Sequence, residues 1–315
     1  MSSATQGEAL DQATLAGLRR EPKELPTVWL YDERGSQLYE EITRLPEYYL
    51  PRREAEILRA RADAIAQRTE ARTFVELGSG SARNTRFLLD ALDGAGTLDL
   101  FVPLDVSTQA LRTSARAIAA AYPQISVNAI VGDFERDLAG LPREGPRLIA
   151  LLGSTIGNLH PRRRERFLTT LAGQLDERDA LLLGLDLVKE PTRLESAYND
   201  SAGVTEAFVR NALTAVNREL GATFEQRRFF YDARWSPEQE WMDIGLRARL
   251  AHGVSIRRLD LELELDRGEL LRVEVSAKFR RERFEVEARR AGLSVESWWP
   301  DRGNEFAVAL LVREG

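Results

Sequence analysis

The sequence predicts an α/β protein, a doubly wound sheet interrupted by an inserted α+β segment. Three observations predict it. Five short apolar runs, Thr73–Leu77, Leu98–Leu104, Ile125–Val131, Arg147–Leu152 and Ala180–Leu185, read as buried strands. Helical patterns alternate with them, and apolar strands alternating with helices belong to a parallel sheet covered on both faces. After Glu190 the period changes to alternating runs whose connections are too short for crossover helices.

Each element has its own signal. The helix over Ser107–Tyr122 opens on an N-cap serine, the helix over Pro161–Leu175 has proline in its first turn, and a third spans Ala82–Leu92. Glu190 to Leu220 reads as helical, with Pro191 near its start. Four alternating runs follow, Phe229–Trp235, Trp241–Leu250, Ser255–Leu265 and Leu270–Phe279, joined by connections such as His252–Val254 and Asp266–Glu269, so they are expected to pair antiparallel. A helix over Arg280–Ala291 and strands at Leu293–Trp299 and Phe306–Val312 complete the chain.

Composition narrows the chemistry. With 315 residues, 43% hydrophobic and 30% charged, the chain is long enough for one large or two modest cores. It has no cysteine and two histidines, His160 and His252, so thiolate catalysis, disulfides and cysteine or multi-histidine metal sites are excluded, and no metal is expected. A net charge of −6 argues against a nucleic-acid surface. All but three of the 44 basic residues are arginines. The N-terminus lacks the apolar run of a signal peptide and the longest uncharged stretch, Leu148–His160, is too short to span a bilayer, so a cytoplasmic protein without membrane partners is expected.

The strand Thr73–Leu77 runs into Gly78-Ser79-Gly80 and a helix, the place where an open α/β sheet holds a nucleotide. A dinucleotide fingerprint needs a small third residue where this chain has Arg83, which tilts the reading away from NAD or FAD. Glu76 before the loop, Asp105 ending the second strand and Asp133 ending the third suit S-adenosylmethionine instead. An acid at a strand end can accept from its ribose diol, and Asp133 can accept from the adenine amine while Phe134 packs on the ring. Any one of these acids can equally be a helix cap, but three in register are harder to explain that way.

The stretches Ile42–Tyr49 (ITRLPEYY), Val75–Gly80, Gly132-Asp133-Phe134, Leu152–Leu159 (LGSTIGNL), Leu187-Val188-Lys189 and Glu274–Phe279 (EVSAKF) together resemble the L-histidine Nα-methyltransferases of ergothioneine biosynthesis, from about Leu25 to the C-terminus. The resemblance implies a class I, Rossmann-like methyltransferase domain over 53–188 and 279–315, and a substrate-binding domain over 1–52 and 189–278. It implies three successive methyl transfers from S-adenosylmethionine to the α-amino group of histidine, giving hercynine; a monomer is expected. Carried over by motif, Gly78, Asp105, Asp133 and Phe134 would hold the donor. Tyr48, Gly153, Asn158 and Tyr198 would surround the amino-acid head group, with Asn158 and Tyr198 acting in catalysis, and Glu274 with Ser276 would read the imidazole. That last pair has independent support, since residues two apart on a strand share a face and a carboxylate beside a hydroxyl can bond both ring nitrogens. The family pattern varies at Arg83-Asn84, where a lysine can stand near the donor, and at Ile244. Relatives acting on prenylated tryptophan share the fold, so a tryptophan derivative or another amino acid is the alternative substrate.

Overall fold

The computed structural model describes residues 3–80 and 82–314. In chain order its elements are α1 (Ser3–Leu18), β1 (Lys23–Glu24), α2 (Glu33–Ile42), α3 (Leu50–Thr69), β2 (Thr73–Leu77), α4 (Thr85–Gly94), β3 (Leu100–Asp105), α5 (Thr108–Ala121), β4 (Ser126–Val127), β5 (Ile130–Val131), β6 (Arg147–Leu151), α6 (Pro161–Ala172), β7 (Ala180–Asp186), α7 (Pro191–Tyr198), α8 (Val204–Leu220), β8 (Phe229–Ser236), β9 (Trp241–Ala248), β10 (His252–Ile256), β11 (Leu261–Leu265), β12 (Leu270–Ala277), α9 (Arg281–Arg290), β13 (Leu293–Pro300) and β14 (Phe306–Arg313). They form two compact units, one of residues up to Tyr48 with Glu190–Ser276, the other of Tyr49–Lys189 with Ala277 onward. The sequence reading put the divisions a few residues away, after 52, 188 and 278. The first falls earlier because α3, which starts at Leu50, packs on α4 and β14 of the second unit.

The second unit is built on one sheet of order β13-β14-β7-β6-β2-β3-β4, with β5 also on β3. Its central pairs are parallel, and β14 runs antiparallel to both β7 and β13. Every residue of β2, β6 and β7 is buried, as strands covered by helices on both faces must be. The chain leaves β2 toward β3 and β4, then returns to β6 and β7 on the opposite side. The order therefore reverses between β2 and β6, where open α/β sheets bind ligands at their carboxyl ends.

Three details differ from expectation here. The run Ile125–Val131 is two two-residue strands, β4 and β5, both on β3. They lie at the sheet's edge, where Ser126 and Val131 are exposed and little burial holds a longer strand. Helix α4 starts at Thr85 rather than Ala82, because Ala82 sits at φ +51° and breaks the helix. Ser107 caps α5 as expected, accepting from the Ala110 N–H.

The first unit carries a four-stranded sheet, β1-β12-β9-β8, and a separate antiparallel hairpin of β10 and β11. The pair β8/β9 is antiparallel, while the short β1 lies parallel to β12. The single run expected over Ser255–Leu265 is broken by a 3-10 turn at Arg257–Leu259 and a left-handed Asp260. The runs joined by Asp266–Glu269 lie in different sheets, because β12 pairs with β9 and β11 with β10. The helix expected over 190–220 is two, α7 and α8, separated at Asn199–Gly203, where Gly203 is left-handed. Asp32 caps α2, accepting from the Gly35 N–H at 2.8 Å, and the same oxygen accepts from Asn211 of α8 at 2.6 Å. Among the described residues no helix is long and apolar enough to cross a membrane, and no group of three or more acidic, His or Cys side chains is placed to hold a metal ion.

Candidate functional site

In the second unit, four of the sequence-predicted residues converge on the carboxyl ends of β2 and β3. Gly78 follows β2 at φ +71°, a left-handed conformation that favours glycine, and its N–H donates to the Leu104 carbonyl at 2.7 Å. The Phe134 ring lies beside it: a Cβ at Gly78 would stand 3.8 Å from that ring. Phe134 also packs edge-on to Phe167 at 5.6 Å. Asp105 ends β3, and its carboxylate accepts from the Gly80 and Ser107 N–H groups, both at 2.8 Å, which orders the glycine loop. Asp133 accepts from the Glu135 N–H at 2.9 Å and lies half exposed beside Arg136.

The acid before the loop has a different character. Glu76 is buried, its Oε1 accepts from Thr85 at 2.6 Å, and its Oε2 has no partner among the described residues. Burial pushes it up to about 8, the Thr85 bond opposes the shift, and the Glu54 and Asp105 charges add to it. The Ser79 hydroxyl in the loop is likewise buried and unpartnered among the described residues. Orphaned polar groups of this kind beside a small-residue loop, able to donate as well as accept, suit a ligand that brings hydrogen-bonding groups, and S-adenosylmethionine, with an amine and a ribose diol, is such a ligand.

Gly153 and Asn158 lie in the loop after β6, on the other side of the switch point. Gly153 is left-handed at φ +69° and Asn158 ends a 3-10 turn, Thr155–Asn158. The Asn158 side chain is half-buried, with no hydrogen bond to another described residue. Gly157 inside the turn lies against backbone, since a Cβ there would come 2.8 Å from the Ala277 carbonyl.

Sequence reasoning missed the group that ties these loops together. Glu54, buried on α3, accepts from the Gly153 N–H at 2.7 Å through Oε1 and from Asn84 at 2.9 Å through Oε2. Gly184 in β7 makes room for it, for a Cβ there would stand 2.4 Å from Glu54 Oε1. Burial raises the Glu54 carboxyl against the pull of the Asn84 and Gly153 bonds. The available signal was an acid on the apolar face of a helix, in step with Ile57, Leu58 and Ala62. Asn84 thus serves the loop's internal bonding.

In the first unit, Tyr48, Tyr198, Glu274 and Ser276 come together. Tyr198 is the last residue of α7, and its hydroxyl shares a hydrogen bond of 2.8 Å with Ser276 Oγ on β12. The Tyr48 ring stands edge-on to Tyr198 at 6.0 Å. Glu274, two residues before Ser276 on the same strand, is half-buried, and its charge adds to the burial that pushes the Tyr48 and Tyr231 phenols well above their ordinary range. Tyr231 on β8 donates to the Tyr198 carbonyl. Tyr231, with Tyr31 and Tyr39, extends the aromatic wall: Tyr39 meets Tyr48 at 6.5 Å and Tyr31 at 5.8 Å. Sequence reasoning missed these three, because an isolated tyrosine outside a recognised motif carries no positional signal.

Residues 10–313 match the protein family described as histidine-specific methyltransferase, SAM-dependent. The chain is 48% identical over 313 residues to the histidine N-alpha-methyltransferase of Mycolicibacterium smegmatis, covering 99% of this chain and 98% of that protein. It is 31% identical to ergothioneine biosynthesis protein 1 of Neurospora crassa, over 93% of this chain and 33% of that protein. It is also 30% identical to the 4-dimethylallyltryptophan N-methyltransferase easF of Claviceps purpurea, over 66% of this chain and 63% of that protein.

Proposed function

The chain belongs to the histidine-specific, S-adenosylmethionine-dependent methyltransferase family, and on that premise we propose that it trimethylates the α-amino group of L-histidine to hercynine. It is an S-adenosylmethionine-dependent methyltransferase of the class I, Rossmann-like fold that acts on histidine in ergothioneine biosynthesis. The observation that carries the residue assignment is the Tyr198–Ser276 hydrogen bond at 2.8 Å with Glu274 two residues away on the same strand, so that a hydroxyl and a carboxylate share one strand face. In this reading Tyr48, Tyr198, Glu274 and Ser276 of the first unit and Gly153 and Asn158 of the second are assigned to histidine, and Gly78, Asp105, Asp133 and Phe134 of the second to the donor, in a monomer of the cytoplasm with neither nucleic acid nor membrane as partner.

The donor supplies a methyl group on a sulfonium centre, so the protein's task is to hold and orient. Gly78 and Phe134 take the adenosyl moiety, Asp105 accepts from the ribose hydroxyls and Asp133 from the adenine amine. Glu274 accepts from one imidazole nitrogen and Ser276 pairs with the other, the direction of its proton set by the tautomer. Asn158 and Gly153 are assigned to the amino-acid head group, as are Tyr48 and Tyr198. Asn158 orients the lone pair of the amine, and in-line attack needs that nitrogen roughly 3–3.5 Å from the methyl carbon. A free α-amino group has a pKa of about 8, so a neutral fraction exists near neutrality without a strong base. Burial holds the Tyr48 phenol protonated, which makes it a hydrogen-bonding group rather than a proton acceptor. Loss of one proton to solvent before each transfer supplies the neutral amine, and the third transfer leaves a quaternary ammonium with no proton to lose. An anchor on the imidazole keeps the substrate bound as successive methyl groups remove N–H donors from the amine.

A panel of amino acids incubated with the donor and read by mass spectrometry tests this reading. Histidine gaining one, two and three methyl groups is the expected outcome. Methylation of tryptophan or a prenylated tryptophan in preference to histidine would transfer the assignment to the second reading, which the similarity to the Claviceps enzyme favours.

A further inference from the structure

One carboxylate in the second unit gathers three distant pieces of chain. Asp186, the last residue of β7, is fully buried. Tyr49 donates its hydroxyl to it at 2.9 and 3.0 Å, Lys189 donates to it at 2.6 Å, and the Lys278 ammonium lies 2.8 Å away. Lys189 spends its other N–H bonds on the Tyr49 hydroxyl and the Leu187 carbonyl, both at 2.6 Å, and stands 4.6 Å from the centre of the Tyr49 ring. Backbone bonds from Phe279 to Asp186 and from Val188 to Phe279, at 2.8 and 3.1 Å, join the same segments. Burial alone would raise the Asp186 carboxyl, but the Lys278 and Lys189 charges hold it below its ordinary range.

Two further facts set this cluster apart. The chain holds only three lysines among 44 basic residues, and two of them meet on Asp186. A compact ammonium fits a shared buried carboxylate where a planar guanidinium would demand more room. The chain also passes between its two units three times, after Tyr48, after Lys189 and after Ser276. Tyr49, Lys189 and Lys278 are the first, last and second residues of the second unit at those passages. Each lies in a stretch that carries the family resemblance, yet none has a role in the methyl transfer described above.

We propose that Asp186 is a positioning residue for histidine methylation, fixing the roots of the three segments that carry Tyr48, Tyr198 and the Glu274/Ser276 pair. The inference rests on the assignment of those residues to histidine. Tyr48 is adjacent to its root, Ser276 is two residues from Lys278, and Tyr198 follows Lys189 by one helix, so few residues separate the cluster from the groups it would position. The groups assigned to the donor, Gly78, Asp105, Asp133 and Phe134, are held by other bonds, so donor binding is independent of the cluster.

Asp186→Asn leaves two ammonium groups buried without a counter-charge and invites misfolding, so the test uses Lys189→Met and Tyr49→Phe, each removing one arm, with Lys189→Arg as the conservative comparison. In the full-length protein the expected result is a rise of about tenfold in the KM for histidine and an accumulation of mono- and dimethylated product, because displacement of a reacting group by a fraction of an ångström already slows transfer. The dissociation constant for S-adenosylhomocysteine should stay at its wild-type value, and Lys189→Arg should recover part of the histidine KM. Variants that melt earlier yet keep the wild-type KM and fully trimethylated product would overturn the proposal and leave the cluster a stability element. The wild-type chain assayed alongside separates the two possible failures. No histidine product from it overturns the functional reading together with this inference, whereas normal wild-type turnover with unchanged variants overturns the inference alone.

Discussion

The two units solve the binding problem by different means. The region proposed for the donor in the second unit is a backbone device: glycine-rich and turn segments at the carboxyl ends of parallel strands, ordered by carboxylates that accept main-chain N–H bonds, as Asp105 does for Gly80 and Ser107. The cluster proposed for histidine in the first unit is a side-chain device, in which Tyr48, Tyr198, Tyr231, Glu274 and Ser276 arrive from four separate stretches of chain and meet through hydroxyls and rings. The first arrangement follows from topology alone, since every open α/β sheet presents such loops. The second has no generic geometry behind it, so its specificity lies in which side chains are present.

The contrast predicts that damage to one half leaves the other intact. Glu274→Ala should weaken histidine binding by ~1.5–3 kcal/mol, roughly ten- to a hundredfold, as loss of a charge-assisted hydrogen bond does. Calorimetry with histidine and with S-adenosylhomocysteine checks it, and near-normal histidine affinity would sink the imidazole assignment. In the other half, Asp105→Asn keeps the shape but loses the charge, and donor affinity should fall by about tenfold with histidine affinity preserved. A smaller effect is expected for Ser276→Ala, which removes one partner of Tyr198. A net loss of ~0.5–1.5 kcal/mol in histidine binding is the magnitude of a neutral hydrogen bond.

The remaining expectation concerns stability. Glu76 is pushed up to about 8 by burial from an ordinary value of 4.5. The folded chain therefore retains a proton that the unfolded chain has already released, so stability falls as pH rises from about 4.5 through about 8. Melting curves of Glu76→Gln across that window should be flatter than those of the wild type, with the gap widening toward high pH. An identical pH slope in both proteins would show that Glu76 is ionised in the folded state.

Much of the donor half was legible because its signals are local. The strand Thr73–Leu77, the loop at Gly78, the acids ending the strands and the Ser107 cap are each readable from a few adjacent residues. The third strand was overestimated, since apolar content over Ile125–Val131 does not reveal that the segment lies at a sheet edge with half its residues exposed. In the first unit the alternating runs were visible but their partners were not: β11 and β12 are neighbours in sequence and lie in different sheets. Glu54 was invisible as a site residue because its meaning depends on Gly184, 130 positions away, leaving space for its carboxylate.

By itself, then, the sequence determined the fold class and the identity of the donor, and it supplied the groups proposed to bind histidine, because periodicity, turn residues and motif composition are properties of short stretches. Only the tertiary structure decided which of those groups act together. That Glu54 joins two loops, that Tyr198 shares a hydrogen bond with Ser276, and that Tyr49 and Lys278 gather on Asp186 are consequences of long-range packing. A buried polar group must find its partner wherever the fold places one, and the distance along the chain does not constrain where that is.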